Sequence, residues 1–424
     1  MKMNDILPSA EPREYYKTEI FTGAGGNGKT HLNLMDTGLV DVLFISPSWK
    51  LSSDKRREFP SLSDNQVIQN PINQPYSDIW INKHSVIVID EASMITEFDK
   101  QFIMRNSMCK LIFCGDVGFQ LPPIITELTK IQYIKRLETE IKGYETLLNG
   151  TCMTDPIEQP DRRKIVETQI IECQYINDNI DKYICEMYTT GFGNVIELRK
   201  NYRYGDDVVL QKVIDDVRHG ITKKLKFDTV FNKIKHEFES VSIKQLEEQY
   251  TKEDIILCSE NAYKDYYTDT FKHIEKYKVL SNTRQYKNGE ILFDKVDGIK
   301  TELIHGLTAH SIQGTTCENV VYIDTRKQKS VRMLHTCVGR ARKANQIKFI
   351  TDTTEIVNKK YENSVMYKIY NPDCDEFYIG STINFNDRVK SHKLICREIH
   401  HKNHNTKLYK FMRERADGWI LRCS

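Results

Sequence analysis

The chain has 424 residues, 39% of them hydrophobic, and 61 Lys and Arg against 59 Asp and Glu leave a net charge of only +2. That length supports two or three cores, and the charge balance excludes a global polyelectrolyte, so any nucleic-acid path has to be a local groove. No apolar run approaches the length of a membrane span, and 11 cysteines without a C-x-x-C pair argue against a zinc ribbon or a disulfide framework.

A strand over residues 18–21 runs into GAGGNGKT at residues 23–30, which meets G-x-x-x-x-G-K-T without a mismatch. Gly23, Gly25, Gly26 and Gly28 let the backbone turn so sharply that its N–H groups face phosphate oxygens, and the following helix offers its positive end. Asn27 belongs to the same nucleotide-binding loop. Lys29 reaches the outer phosphates of a nucleoside triphosphate, and Thr30 ligates magnesium.

Next comes VIVIDEASM, residues 86–94, a β-branched apolar run of the kind buried on both faces of a parallel sheet. It delivers two carboxylates to the sheet's carboxyl edge. Asp90 is suited to hold magnesium through water, and Glu91 to orient and deprotonate the water that attacks the γ-phosphate. The bland alternative is a strand followed by a helix-capping Asp, which the phosphate loop upstream makes the poorer reading. LIFCGDVGFQLPPI, residues 111–124, is a third strand, ending in Gly115-Asp116. Its Gln120 can donate to a phosphate and accept from water, while Pro122 and Pro123 stop any helix and stiffen the loop.

Beyond it, Leu128, Ile131, Ile134, Leu137, Ile141, Tyr144 and Leu148 recur at three-to-four spacing, the pattern of an amphipathic helix. The helix is expected to be an insertion packed on the first domain, the alternatives being a strand-separating pin or a partner site. ELRKNYRYGDDVVLQKVIDDVRHG, residues 197–220, sets Arg203 before a helix with Val208, Val209, Val213 and Val217 at helical spacing. LTAHSIQGTTCENVVYID, residues 307–324, and MLHTCVGRARKANQIKFI, residues 333–350, each join polar residues to an apolar strand.

In their order, DEAS, GDxxQLPP, NYR, T-x-H-x-x-Q-G and a final G-R-A-R resemble the motifs of superfamily 1 helicases, and more closely the RecD-like branch, where the last run reads T-R-A-R. The resemblance covers about residues 15–352. It implies two RecA-like domains holding ATP and Mg2+ in the cleft between them. Lys29, Thr30, Asp90, Glu91 and Gln120 then lie on the first domain, and Arg203 and Arg340 reach across from the second. Arg340, as the first arginine of its run, is preferred to Arg342 as the finger. Gly314 joins the nucleotide-binding set, and Thr30 and Asp90 form the metal set. Nucleic acid is expected on FISPSWK, residues 44–50, and on the motif near Thr308. Ser46, Ser48, Lys50, Thr308 and His310 would meet the strand, with Trp49 either stacking on a base or buried as core. The sequence departs from the family at its start, where residues 1–19 carry no glutamine-bearing stretch to read adenine. YKNGEI, residues 286–291, resembles the approach to an accessory β-barrel, but little chain remains before Leu307, so that barrel is expected to be lost.

Past a soft boundary near residues 352–363 the character changes. Apolar-aromatic strands at residues 365–370 and 377–379 flank a turn, and a helix follows with Arg388 and His392 one turn apart. These residues resemble the start of a GIY-YIG nuclease domain, with Tyr367 and Tyr378 as its tyrosines, followed by Gly380, Arg388 and His392. Val365 and Met366 replace the motif's Gly and Ile. The sequence ends at Ser424, soon after the strand-like WILRC, without the later glutamate that holds metal in that family. The expectation is a nuclease remnant with little or no cleavage. From Arg388 onward 10 Lys and Arg face 3 Asp and Glu, with four histidines besides, a charge suited to phosphate or to a basic tail.

The expected fold is α/β, with two RecA-like P-loop domains of parallel sheets flanked by helices, and a small α+β C-terminal GIY-YIG-like fragment. The expected boundaries are 1–195 for the first domain with a helical insertion near 125–190, 196–352 for the second, and 363–424 for the fragment. The expected function is an ATP- and Mg2+-dependent translocase on single-stranded or tailed nucleic acid, DNA before RNA and 5′ to 3′. Alternatives are a nucleic-acid-stimulated ATPase that remodels complexes without unwinding, or a DNA-binding protein with an ATP-regulated grip. With no secretory signal the expected location is cytoplasmic, or host cytoplasm or nucleus if the chain is viral, as its richness in Ile, Lys, Asn and Tyr would suit.

Overall fold

A computed structural model describes residues 18–38, 41–62, 64–67, 83–107, 109–149, 160–328, 330–351, 365–372, 377–397, 406–414 and 420–423. The N-terminal stretch expected to lack an adenine-reading glutamine, the boundary at 352–363, Glu398 and the histidines at 400, 401 and 404 lie outside the described residues. The chain divides into two compact units, residues 1–352 and 353–424. Among the described residues no helix is long and apolar enough to cross a membrane.

The first unit is built on two parallel sheets. One contains β1 (Thr18–Thr22), β2 (Val42–Ser46), β3 (Asp64–Val67), β4 (Val86–Ile89), β5 (Lys110–Cys114) and β6 (Asn194–Glu197), in the order β3-β2-β4-β5-β1-β6. All its pairings are parallel. Such strands are covered on both faces and so read as unbroken apolar runs; every residue of VLFIS in β2 is buried. Because β4, β5 and β1 are adjacent, the DE pair, the GD turn and the glycine loop all leave the sheet at one carboxyl edge. The chain enters α1 (Lys29–Asp36) from the glycine loop and α2 (Trp49–Glu58) after β2. Helix α3 (Glu97–Asn106) opens on a capping box between Thr96 and Asp99.

The insertion consists of α4 (Glu127–Leu148), α5 (Pro160–Asp178) and α6 (Ile180–Tyr183). It packs on the first sheet's helices, with Tyr133, Leu137, Cys173 and Ile176 joining Phe98, Phe102 and Phe113 in one core. Ile134, Leu137, Ile141 and Tyr144 of the expected stripe face this core, while its first members do not, Leu128 being 64% exposed and Ile131 47%. Glu140 is buried beside the stripe. Glu140 accepts from Arg105 Nη2 at 3.1 Å and from Arg136 Nε at 3.2 Å, so a carboxylate occupies the inward side of the helix.

Strand β6 hydrogen-bonds to β1 through Glu197, so the first sheet runs past residue 195. The second sheet follows α7 (Val208–Thr222) and α8 (Phe227–Ile234). It contains β7 (Glu239–Val241), β8 (Ile255–Cys258), β12 (Gly306–Thr308), β13 (Val321–Asp324) and β14 (Ile347–Ile350), ordered β12-β8-β13-β14-β7 and parallel throughout. Leu210, Val213, Ile214 and Val217 of α7 pack on it, with Leu334 of α11 (Val331–Val338), while the expected Val208 and Val209 are exposed. Helices α9 (Ile243–Gln249) and α10 (Asn261–Thr270) connect its strands. Where an accessory barrel was expected to be lost, β9 (Tyr277–Val279), β10 (Ile291–Leu292) and β11 (Thr301–Leu303) form a small antiparallel sheet. The first unit therefore has the two parallel-sheet, RecA-like lobes that the resemblance implies.

The second unit is α+β. An antiparallel sheet, β16-β15-β17, combines β15 (Val365–Tyr370), β16 (Phe377–Thr382) and β17 (Ile420–Cys423), with α12 (Phe385–Arg397) and α13 (Lys407–Glu414). Its core is Tyr367, Ile369, Ile395, Tyr409 and Met412.

The insertion's anchoring gives a test. Glu140→Ala would strand Arg105, whose Nε and Nη1 already lack hydrogen-bond partners, as an unpaired buried cation. Denaturant unfolding should show a loss of roughly 3 kcal/mol, whereas an unchanged midpoint would mean that the pair does not anchor the insertion.

Candidate nucleotide cleft and nucleic-acid cavity

The glycine loop needs a backbone that side chains resist: Gly26 has φ 90° and Gly28 φ 73°, both left-handed. Arg203 crowds the space that a Cβ would take, and Arg340 lies next to it. A Cβ on Gly25 would lie 3.1 Å from Arg203 Nη1 and 3.6 Å from Arg340 Nη2, and one on Gly26 would collide with Arg203 Cβ. Both arginines therefore face the loop, in a cavity of about 290 Å³ that also reaches Lys29, Thr30, Asp90, Glu91, Gln120 and Gly314.

Within the cavity Lys29 Nζ donates to Gly23 O at 2.7 Å and Ala24 O at 2.9 Å. Burial pushes its pKa down, against the pull of Asp116 and Glu91. Thr30 Oγ1 donates to Asp90 Oδ1 at 2.5 Å, so the two expected metal ligands touch. Glu91 sits in the left-handed region, φ 49° and ψ 48°, a strained position for a side chain of that size. Its Oε2 is buried without a hydrogen-bond partner, and burial, then the neighbouring Asp90, raises its pKa. Among the described residues no group of three or more His, Cys, Asp or Glu gathers as a metal-ligating cluster. Thr30, Asp90 and the orphaned carboxylate oxygen nonetheless suit a hard cation that keeps several waters and phosphate oxygens as ligands.

Gln120 is buried, and its Oε1 accepts from Ser93 Oγ at 2.9 Å. Gln313 of the second lobe donates to Ser93 Oγ at 3.0 Å and reaches Gln120 Oε1 at 3.4 Å. Arg203 Nη1 donates to Gly339 O at 2.7 Å, and its pKa is lowered by burial and then by the adjacent Arg340. Two guanidiniums held together in a buried cleft are costly unless anions meet them. Arg340 is 1% exposed, with Nε donating to Thr336 O at 2.8 Å and Nη1 to Thr315 O at 3.1 Å. Arg342 also borders the cavity, but it pairs with Glu318 at 2.8 Å and is half-exposed.

Several residues that complete the cleft had no assigned role in the sequence. Asn201 donates to Gly25 O and to Asn27 Oδ1, both at 2.8 Å, and Tyr202 N donates to Gly26 O at 2.9 Å, so the NYR segment is docked onto the glycine loop. Asn27 in turn donates to Leu198 O. The adjacency of NYR to Arg203 was the one available signal for Asn201. Ser93 and Gln313 lay inside recognised motifs, whereas nothing local marked Thr315.

A second cavity, about 420 Å³, lies between the first sheet's edge, the β9–β11 sheet and β12. Ser48, Trp49, Lys50, Gly289, Leu307 and Ser311 are among its lining residues. Of the expected nucleic-acid residues, Ser48 and Lys50 line it. Ser46 is fully buried and donates to Ser48 O at 2.8 Å, so it shapes the turn from beneath. Thr308 and His310 flank the lining residues in sequence, and burial lowers the His310 pKa. Trp49 faces the cavity and does not enter the core. Lys50 Nζ, with its pKa lowered by burial, donates to Thr315 Oγ1 at 3.2 Å. Thr315 thus touches Lys50 of one cavity through its hydroxyl and Arg340 of the other through its carbonyl.

The second unit gathers its five expected residues. Arg388 Nε donates to Tyr367 Oη at 3.0 Å, Tyr367 Oη lies 2.8 Å from His392 Nε2, and the Tyr378 ring centroid is 6.3 Å from that of Tyr367. A Cβ on Gly380 would stand 2.5 Å from Tyr367 Oη. Tyr409, unassigned in the sequence, closes the chain at 2.9 Å from His392 Nδ1. His392 is fully buried, and burial, then Arg388, lowers its pKa to about 4.

No protein-family model matches the sequence, and no curated protein matches it. Among solved structures, a Pif1 helicase from Bacteroides in complex with ADP-AlF3 and ssDNA is similar in fold, with a TM-score of 0.50 at 14% identity. The match covers 82% of this chain and 90% of that one. A Pif1 helicase from Candida albicans aligns with a TM-score of 0.45 at 11% identity, covering 80% of this chain and 91% of its own. At such identity the likeness concerns the fold alone.

Proposed function

We propose that the first unit hydrolyses ATP between its two lobes and uses the cycle to move along single-stranded nucleic acid as a helicase or translocase. The observation that carries this reading is the convergence of Arg203 and Arg340, from the second lobe, on the glycine loop of the first. A site divided between two bodies makes the triphosphate's state a matter of their separation. In this reading Lys29 and the loop's N–H groups hold the β- and γ-phosphates, and Glu91 accepts the proton of the attacking water. A carboxylate with a raised pKa and a free oxygen suits that task. Arg203 and Arg340 neutralise charge on the transferred phosphoryl, and ADP leaves with the bond between the β- and γ-phosphates broken. Mg2+ held by Thr30 and Asp90 would supply charge neutralisation along the phosphates.

The strand would run through the second cavity, with Lys50 and Ser48 at phosphates and Trp49 at a base. DNA as substrate is supported by the ssDNA bound in the similar Pif1 structure, and 5′ to 3′ movement by the RecD-like motif order. For the second unit we propose a GIY-YIG-like fold that binds nucleic acid without cutting it. The acid of α12, Asp387, is engaged by Asn384 and Lys390, leaving the tyrosine cluster with no carboxylate partner among the described residues.

Hydrolysis should be stimulated by single-stranded DNA and fall by about 10³-fold or more in Lys29→Ala and Arg340→Ala. Duplexes with a 5′ tail, but not a 3′ tail, should be opened with ATP. Stimulated hydrolysis without strand displacement on either substrate would instead identify a remodelling ATPase, and normal turnover by Arg340→Ala would remove the finger assignment. Branched DNA with magnesium should stay uncut; nicking that disappears in Tyr378→Phe would overturn the account of the second unit.

A further inference from the structure

Asp116 lies two residues beyond β5, lines the nucleotide cavity and is 1% exposed. A buried carboxylate needs a counter-charge. It comes from the other lobe: Arg218 of α7 donates Nη1 to both oxygens of Asp116, at 2.6 and 2.5 Å. The same guanidinium lies 3.7 Å above the ring centroid of Phe119, three residues along the same loop. His335, whose Nε2 is 3.7 Å from Asp116, is buried with both ring nitrogens unpartnered. Burial holds it neutral, its pKa lowered to about 4, so Arg218 is the cation that meets this carboxylate.

The two ends of this pair are attached to the chemistry. On the first lobe, Phe119 N and Gln120 N both donate to Asp116 O at 3.1 Å, so the turn that presents Gln120 is folded around the residue Arg218 grips. On the second lobe, α7 starts at Asp207, whose Oδ1 accepts from Leu210 N at 2.8 Å and whose Oδ2 accepts from Ala344 N at 2.8 Å. Asp207 follows Arg203 by one turn of chain and Ala344 follows Arg340 equally closely. The start of α7 is thus tied to the segments that bear both arginines.

We propose that Arg218 is a positioning residue for ATP hydrolysis: by clamping Asp116 and covering Phe119 it makes seating of the Gln120 turn and approach of Arg203 and Arg340 a single event. This rests on the reading of the cleft as an ATP site. Arg218 is not among the residues that line the nucleotide cavity. Its contribution is realised when the second lobe meets the developing charge, so it belongs to the transition state more than to ATP binding.

The experiment measures the affinities of the full chain for ATPγS and for ADP with aluminium fluoride, a mimic of the transferred phosphoryl, in the absence of any strand. Steady-state kcat and KM and thermal midpoints are recorded alongside. Arg218→Lys keeps the charge but loses the planar guanidinium that lies over Phe119. It should bind ATPγS within about threefold of wild type, yet bind the fluoride complex and turn over about tenfold more weakly or slowly. Arg218→Ala leaves Asp116 alone and is compared with Arg218→Ala/Asp116→Asn, which removes the stranded charge and should remain slow. Wild-type affinity of Arg218→Lys for the fluoride complex would overturn the proposal. So would full recovery in the double variant, which would reduce the pair to charge neutralisation, or a parallel fall of both affinities with the thermal midpoint. Because these measurements use no nucleic acid, failure of strand-stimulated hydrolysis in wild type would refute the motor while leaving the clamp standing.

Discussion

The first unit depends on how closely the second lobe can approach the glycine loop. Gly25 and Gly26 are usually considered for what they offer a phosphate, but here the missing side chains also admit Arg203 from the other side, with Arg340 beside it. An alanine at either place would push against a guanidinium or its stem. The loop is therefore shaped twice over, inward for anions and outward for the opposing lobe. Asn201 and Tyr202 fix that second contact with backbone and side-chain hydrogen bonds to Gly25, Gly26 and Asn27.

The cost of such a cleft is electrostatic. Lys29, Arg203 and Arg340 are crowded cations in a buried space, and burial lowers the pKa of the first two. Asp90 and Glu91 offset part of that charge, Asp116 being taken up by Arg218. The remainder is a standing preference for a polyanion. Polar links radiate from this centre to the other lobe: Gln313 to Ser93 and Gln120, Arg218 to Asp116, and Thr315 between Arg340 and Lys50. The last runs from one cavity to the other through one residue.

The strands that carry chemistry were legible because a parallel sheet covered on both faces demands apolar runs, and each run stops where its polar residues begin. Thus β1, β4 and β5 lie where the sequence puts them, and their neighbouring positions bring the three motifs to one edge. The stripe expected on α4 found the packed face through Ile134, Leu137, Ile141 and Tyr144, but hydrophobic spacing cannot see that Arg105 and Arg136 make Glu140 an inward residue or that Leu128 stays in solvent. The β9–β11 sheet escaped notice because its strands span two or three residues, too few to show alternation. Arg218 and Tyr409 carry no local signal, because their partners Asp116 and His392 are chosen by tertiary folding. In the second unit the hairpin was readable from its aromatic strands, whereas the closure of its cluster by Tyr409 was not.

The most direct measurement of the central claim is a crystal structure of the full chain with ADP, magnesium and aluminium fluoride. Both Arg203 and Arg340 should donate hydrogen bonds to the fluoride group at about 3 Å, with Lys29 on the opposite side and a water between Glu91 and the metal fluoride. A bound mimic held by the glycine loop alone, with either guanidinium turned out to solvent, would contradict the two-lobe account.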